Sequence, residues 1–366
     1  MKKIRNGIAI MLTVLLAFLL CSCAGNTDRA KNGVKITATD AKTEQTEEYN
    51  DAVFSMTIPK GWKVTCGGFD IYHSIRISDP DEPLNCMFVL LKADCLLHSQ
   101  EGKDAWKAVY NEGNRDAVIF ANAPVLEKPS TESFFKIFAQ YADMASKFEA
   151  AYVGYSFPHY DNFTVTDRFS GSGDMVKYSL GDEFLRATFT DNGSAGEGMF
   201  SASVVDFKES LYSDRTVADY GLESVDSGYY MAYNIVAITA AKDTFIEWED
   251  LLTECLKTLK YSDIFENNIR GAIERDFFQA RCINQNFNQT MDGIMSSWDS
   301  RNKSIDIISQ KQSDATLGYE RVYDTRTKEI YRAAKGFTSS YKGKGYKPVT
   351  DDNMYTTPIS GYIEKD

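Results

Sequence analysis

Short runs of alternating apolar and polar residues recur through most of the chain. That two-residue period restricts the fold more than any other feature, because a strand turns successive side chains to opposite faces. In 54–58, Phe54, Met56 and Ile58 alternate with Ser55 and Thr57. Pro59-Lys60-Gly61 then turns the chain, and 62–66 resume the alternation from Trp62 to Cys66, which predicts a hairpin. Residues 71–77 and 86–91 predict further strands, with Asp79-Pro80-Asp81-Glu82-Pro83 as the loop between them. The pattern returns at 163–169, 175–180, 184–189, 199–207 and 229–239, punctuated by glycines and by Asp191-Asn192-Gly193-Ser194.

Three stretches keep a helical period instead. Residues 100–112 form a short helix in this reading, and Pro129 and Ser130 open a clearer one whose Phe134, Phe138, Tyr141, Ala145 and Phe148 share a face. Phe245, Trp248, Leu251, Leu252, Cys255, Leu256 and Leu259 make the stripe of a third. The expectation for 51–261 is an α+β domain, an antiparallel β-sheet with packed helices.

Two further segments follow. Over 262–300, Ile269, Ile273, Phe277, Ala280, Phe287, Met291, Ile294 and Trp298 run along one face of a long amphipathic helix. At 1.5 Å per residue it would span about 50 Å, although Gly271 and Gly293 weaken the prediction. An ordinary packing stripe explains it best, and a coiled-coil or partner-binding helix is the sharper reading. Residues 301–366 predict a small β-rich module, with a hairpin around Thr325-Arg326-Thr327-Lys328 and a last strand over 356–363.

The N-terminus carries an address. Lys2, Lys3 and Arg5 precede an uncharged run, 8–20, whose one polar residue is Thr13. This is the pattern of a secretory signal, too short for a comfortable membrane span. Leu20-Cys21-Ser22-Cys23 resembles the lipobox of bacterial lipoproteins. The resemblance implies cleavage of 1–22 and a diacylglycerol thioether on Cys23, since the lipid joins to sulfur. Cys21 would leave the bulky Leu20 before the cut. Two acyl chains suffice for stable anchoring, so the expected location is the extracytoplasmic face of the cell membrane. Residues 23–50, rich in Thr, Lys, Asp and Glu, are expected to form a flexible acidic tether. Losing 1–22 removes three of the 40 basic residues and none of the 52 acidic ones, moving the net charge from −12 to −15. That argues against nucleic acid as a partner and against an electrostatic grip on anionic lipid.

The motif Phe54-x-Met56-x-Ile58-Pro59-x-Gly61-Trp62 is similar to the opening of PsbP/Mog1-like domains. Those begin with an F-x-I-x-x-P-x-G-W hairpin and close with an amphipathic helix, which here would be 245–259. The resemblance implies a fold for 51–261 and brings no catalytic residues with it. Asp324-x-x-Thr327-Lys328-Glu329-x-Tyr331 is similar to the start of a D-x-x-T-G-E-x-Y-x-V segment that follows a Trp-bearing helix in a small module of other exported bacterial proteins, with Lys328 in place of the glycine.

Chemical motifs are sparse. There is no HExxH, no G-x-S-x-G and no phosphate loop, so no metal or cofactor is expected. Ser133-Phe134-Phe135-Lys136 satisfies an S-x-x-K pattern but lacks its companions. His159 precedes Asp161 in what reads as an exposed loop, while His73 and His98 stand in no recognisable cluster. Cys66, Cys86, Cys95, Cys255 and Cys282 are odd in number, which forbids full pairing and leaves one disulfide among the first three open. The tail is crowded with aromatics, and Trp298, Tyr319, Tyr331 and Tyr355 are the candidate partner-binding residues. The competing reading makes them the core of a module poor in aliphatics. Together these features predict a non-catalytic lipoprotein that binds an envelope protein or wall polymer. An envelope-acting hydrolase and a solute-binding lipoprotein of a transporter are the alternatives.

Overall fold

In a computed structural model of the chain, the described residues are 27–29, 35–40, 44–169, 179–181, 184–207, 225–242, 244–273, 310–311, 314–357 and 359–365. Cys23, Cys282 and Trp298 lie outside them, as does the continuation of the expected long helix beyond residue 273. The chain divides into two compact units, one formed by Met1–Ala41 with Gly318–Asp366, the other by Lys42–Leu317.

The smaller unit is a six-stranded sheet drawn from both ends of the sequence. Strand β1 (Thr27–Arg29) pairs antiparallel with β2 (Lys35–Asp40).

The larger unit begins with β3 (Thr46–Asn50), β4 (Phe54–Pro59), β5 (Lys63–Gly67), β6 (Ser74–Ser78) and β7 (Cys86–Leu97). Helices α1 (Gln100–Asn111), α2 (Val118–Asn122) and α3 (Thr131–Phe148) follow, then β8 (Asp161–Phe169), β9 (Phe184–Asp191), β10 (Ser194–Phe207) and β11 (Tyr229–Ala241). Helix α4 (Phe245–Lys257), β12 (Lys260–Tyr261) and α5 (Asp263–Ile273) come next. Seven strands make one antiparallel sheet in the order β5-β6-β7-β11-β10-β9-β8, and β12-β4-β3 make a second. This is the α+β, antiparallel architecture expected from the strand and helix periods.

Each face of the seven-stranded sheet carries its own core. On one face, Phe88, Leu90 and Phe200 pack with Trp106 of α1, Phe120 of α2 and Phe134, Phe135, Phe138 and Tyr141 of α3. On the other, Met87, Val89, Met199, Val236 and Ile238 pack with Phe245, Leu252 and Leu256 of α4. Strands β7 and β11 lie between the two cores, so both of their faces are apolar. Ser99 and Ser130 start α1 and α3 by accepting from the Gly102 and Ser133 amides at 3.0 Å, satisfying donors that a helix start leaves orphaned.

Two expectations need correction. The hairpin over 54–66 does not form, because β4 pairs with β3 and β12 whereas β5 pairs with β6. Gly61, at φ +82°, turns a corner between sheets. The Trp62 ring then meets Trp248 of α4 at 5.5 Å, which holds β5 away from β4. Nor are 27–29, 35–40 and 46–50 tether, since all three are strands. Composition misled here because a strand can be held by ladder hydrogen bonds, at a sheet edge as in β1 and β3 or between two partners as in β2, without many large apolar side chains. The residues of β3 are mostly exposed, and only Tyr49 reaches a partner ring, Phe54 at 5.1 Å.

In the smaller unit, β13 (Tyr319–Asp324), β14 (Ile330–Ala334), α6 (Phe337–Ser340), β15 (Tyr346–Pro348) and β16 (Ile359–Lys365) complete the sheet in the order β1-β2-β16-β14-β13-β15. Pair β13–β14 is the hairpin expected around Thr325, with Lys328 at φ +70° where the similar segment has glycine.

Candidate functional site

Strand β7 is buried along all twelve residues, yet it carries Lys92 and Asp94. Near its end, β7 pairs Ala93 with Ala232 and Leu96 with Tyr230, so Asp94 and Cys95 together face the single Met231 of β11. Such a bulge re-aims side chains and recurs beside functional sites. Cys95 adopts φ +62°, a left-handed conformation that costs a non-glycine residue about 1 kcal/mol or more. Its amide donates to Asp94 Oδ1 at 2.8 Å, which fixes the carboxylate.

The other Asp94 oxygen is the centre of a buried polar cluster. Lys92 Nζ lies 2.8 Å from Asp94 Oδ2, and the two side chains are 1% and 3% exposed. The Tyr72 hydroxyl donates to the same oxygen at 3.0 Å and accepts from Lys92 at 3.3 Å. Lys92 also stands 5.0 Å from the Tyr72 ring centre and 6.0 Å from that of Tyr233. Tyr152 donates to the Lys92 carbonyl at 3.2 Å. Glu149, at the end of α3, completes the group. Burial, and then the charge of Asp94, push its carboxyl up to about 8 against the opposing pull of Lys92. Burial likewise raises the Cys95 thiol well above its ordinary range, so it is a thiol and not a nucleophilic thiolate.

Two further ionic centres lie apart from this one. His98, just after β7, holds Asp226 through Nδ1 at 2.9 and 3.1 Å, and its Nε2 lies 3.2 Å from Asp206 Oδ1. The imidazole lies against the Tyr230 ring, tilted by 42°, at 4.2 Å between ring centres. Under α4, the buried Arg186 donates to Glu197 at 2.7 Å and to Glu249 at 3.4 Å. Burial alone would pull its proton off more easily, but Glu197 and Glu249 outweigh that and raise it.

An open groove of about 430 Å³ runs between α3 and β8, lined by Glu132, Lys136, Thr164, Thr166, Asp167 and Arg168. Lys136 pairs with Glu132 at 2.6 Å, and Arg168 pairs with the same carboxylate. Lys136, with Arg168 assisting, holds Glu132 below the usual carboxylate range despite partial burial. Lys136 is therefore committed to Glu132, and Ser133 exchanges its hydrogen bonds with Ser130, so the S-x-x-K pattern forms no catalytic pair.

The three tail tyrosines named as binding candidates are buried. Tyr331 is 2% exposed and belongs to the small-unit core with Val322, Phe337, Tyr346 and Ile363. Tyr319 and Tyr355 are buried as well, and Tyr355 lies under the Arg321 guanidinium at 4.6 Å. A module with few aliphatics has spent its aromatics on its core. Cys66, Cys86, Cys95 and Cys255 are free thiols, so no disulfide joins the first three. His159 is half-buried in the loop before β8.

Sequence reading missed all three ionic centres because each joins distant positions. Asp226 lies 128 residues from His98, and Glu249 lies 63 from Arg186. The one local signal was a pair of charges, Lys92 and Asp94, inside an otherwise apolar run. Among the described residues, no group of three or more His, Cys, Asp or Glu side chains is arranged to hold a metal ion and no helix is long and apolar enough to cross a membrane. No protein-family model matches the chain, and no curated protein is found to be similar to it.

Proposed function

We propose that the chain is an exported lipoprotein that works by binding. A lipid on Cys23 would hold it at the extracytoplasmic face of the cell membrane, where it engages an envelope protein or wall polymer without transforming it. The observation that carries the binding reading is the groove between α3 and β8. It is the open feature described above, and charges of both signs line it. The residues best suited to proton chemistry, Lys92, Asp94 and Glu149, are 1%, 2% and 6% exposed, out of reach of a polymer or protein substrate.

Two finer readings belong to the same proposal. The domain is of the PsbP/Mog1-like type, supported by the contact of Trp62, from the opening motif, with Trp248 on the closing helix, although residues 54–66 do not form the opening hairpin of those domains. The described part of the expected long helix is α5, whose Phe265 is buried and whose Ile269 packs against the α4 core; the rest of that helix lies outside the described residues.

The anchor is tested by fractionation. Wild-type protein is expected with the membrane, whereas Cys23→Ala is released or left uncleaved; a processed, membrane-bound Cys23→Ala protein refutes it. For the groove, the measurement is co-sedimentation with isolated wall polymer and capture from solubilised membranes, comparing wild type with Lys136→Glu/Arg168→Glu. Equal binding by both, or none by either, counts against the groove.

A further inference from the structure

The cluster at the β7 bulge contains one more ionisable carboxyl than its charges can balance. Lys92 and Asp94 cancel each other at 2.8 Å. Glu149 is the third group, and its Oε2 is buried without a hydrogen-bond partner. Ionised, it would place a second negative charge beside Asp94, at the negative end of the α3 dipole. Protonated, it adds no charge. The groups that act on it come from the neighbouring elements: Tyr72 from the turn at 70–72, Lys92, Asp94 and Cys95 from β7, Tyr141 from α3 and Tyr152 from the turn that follows, while Tyr233 from β11 stands beside Lys92. Burial raises Tyr72, Cys95, Tyr141 and Tyr152 away from neutral pH, so they stay uncharged there.

Glu149 also begins a tightly tied segment. Its carbonyl accepts from the Tyr152 amide at 2.9 Å, and that of Tyr152 accepts from Tyr155 at 2.8 Å. Ser146 closes the turn by donating to the Tyr155 carbonyl at 2.9 Å. The Tyr155 hydroxyl takes a hydrogen bond from Ser74 at 3.0 Å, while Tyr152 reaches Lys92. The loop at 67–70 lies so close against these two rings that a Cβ on Gly67 would strike Tyr155 and one on Gly68 would strike Tyr152 at 2.9 Å. At the surface the two segments present Phe69, 56% exposed, and Val153, 68% exposed.

We propose that Glu149 is a proton-dependent latch: it must carry a proton to sit in the cluster, so segments 149–155 and 67–72 open together more readily as pH rises. This device stands whether or not the chain carries a lipid. Its direction follows from linkage. Closed, the carboxyl titrates at about 8; opened into water, it titrates near 4.5. Closure is fully supported below about 4.5, loses about tenfold in its equilibrium constant per pH unit up to about 8, and is constant above that. Acid shuts the latch, and opening releases a proton.

The test is amide hydrogen exchange of the full chain between pH 5 and 8, comparing wild type with Glu149→Gln at each pH so that intrinsic exchange cancels. Opening of 149–155 and 67–72 in wild type, relative to the variant, is expected to rise about tenfold per pH unit and to level off above 8. A constant ratio overturns the proposal. Should Glu149→Gln fail to fold, the Glu149 carboxyl ¹³C shift in wild type decides the matter, since titration near 4.5 overturns the proposal and titration near 8 supports it.

Discussion

One buried imidazole, His73, makes the larger unit less stable in acid. His73 is 5% exposed, and Phe54, Tyr261 and Phe265 enclose it at 5.1 to 6.4 Å between ring centres. Burial lowers its pKa to about 4, with Asp51 opposing. The unfolded chain takes this proton near 6.5, so stability from His73 is present above 6.5 and is lost as pH falls toward 4. Between pH 7 and 5 the loss is about 2 kcal/mol. Glu149 acts in the opposite sense over the same interval, and the wild-type profile alone would hide both. Urea unfolding of wild type and His73→Phe at the two pH values separates them. The stability difference between the proteins should shift by about 2 kcal/mol in favour of the variant at pH 5, and an unchanged difference refutes the assignment. The Lys92–Asp94 pair makes a second residue-scale prediction. In a Glu149→Gln background, where no second carboxyl can take its place, Asp94→Ala leaves an ammonium buried without its partner and should cost about 3–5 kcal/mol, whereas Lys92→Met with Asp94→Leu should be close to neutral. A mild Asp94→Ala phenotype in the same unfolding assay would mean that water reaches Lys92.

At the scale of elements, periodicity was a good guide wherever one face is buried and a poor one wherever pairing decides. Phe134, Phe138, Tyr141 and Ala145 all turn inward from α3 as their spacing requires, but Phe148 at its end is 38% exposed. The alternation of 54–58 correctly marks β4, yet alternation says which face is apolar and not which strand lies alongside. The partner was fixed by Gly61 and by a tryptophan 186 positions away, so the hairpin was not legible. Strand β7 shows the same limit differently. Its uninterrupted apolar run ends at Leu91, because Lys92 and Asp94 are unsuited to a core by themselves, and their mutual pairing allows the strand to continue to Leu97. The three ionic centres were illegible for that reason. The cap of α3, by contrast, was marked by Pro129 and Ser130 and can be tested singly. Ser130→Ala removes the acceptor for the Ser133 amide and should lower stability by about 1 kcal/mol; no change in the denaturant midpoint would mean that the helix start is satisfied otherwise.

At the scale of the whole molecule, the larger unit is inserted between β2 and β13 of the smaller one, and each unit has a core of its own. Separate cores predict separate unfolding transitions. Leu252 is fully buried on the inner face of α4 and Ile363 is 2% exposed in β16, and truncating a large aliphatic at such sites costs about 2–5 kcal/mol. Calorimetry should therefore show Leu252→Ala lowering one transition and Ile363→Ala the other, and a single transition that moves with both would show that the units unfold as one. The same measurement decides what the segment after Cys23 is. Strand β2 covers β16 from Gly361 to Lys365, so deleting residues 24–41 uncovers that edge and should lower the smaller unit's transition alone. A flexible tether could be removed with neither transition moving. In the proposed lipoprotein, the first outcome leaves only residues 24–26 between the lipid and the first strand, and sets the smaller unit directly after the anchor in the chain.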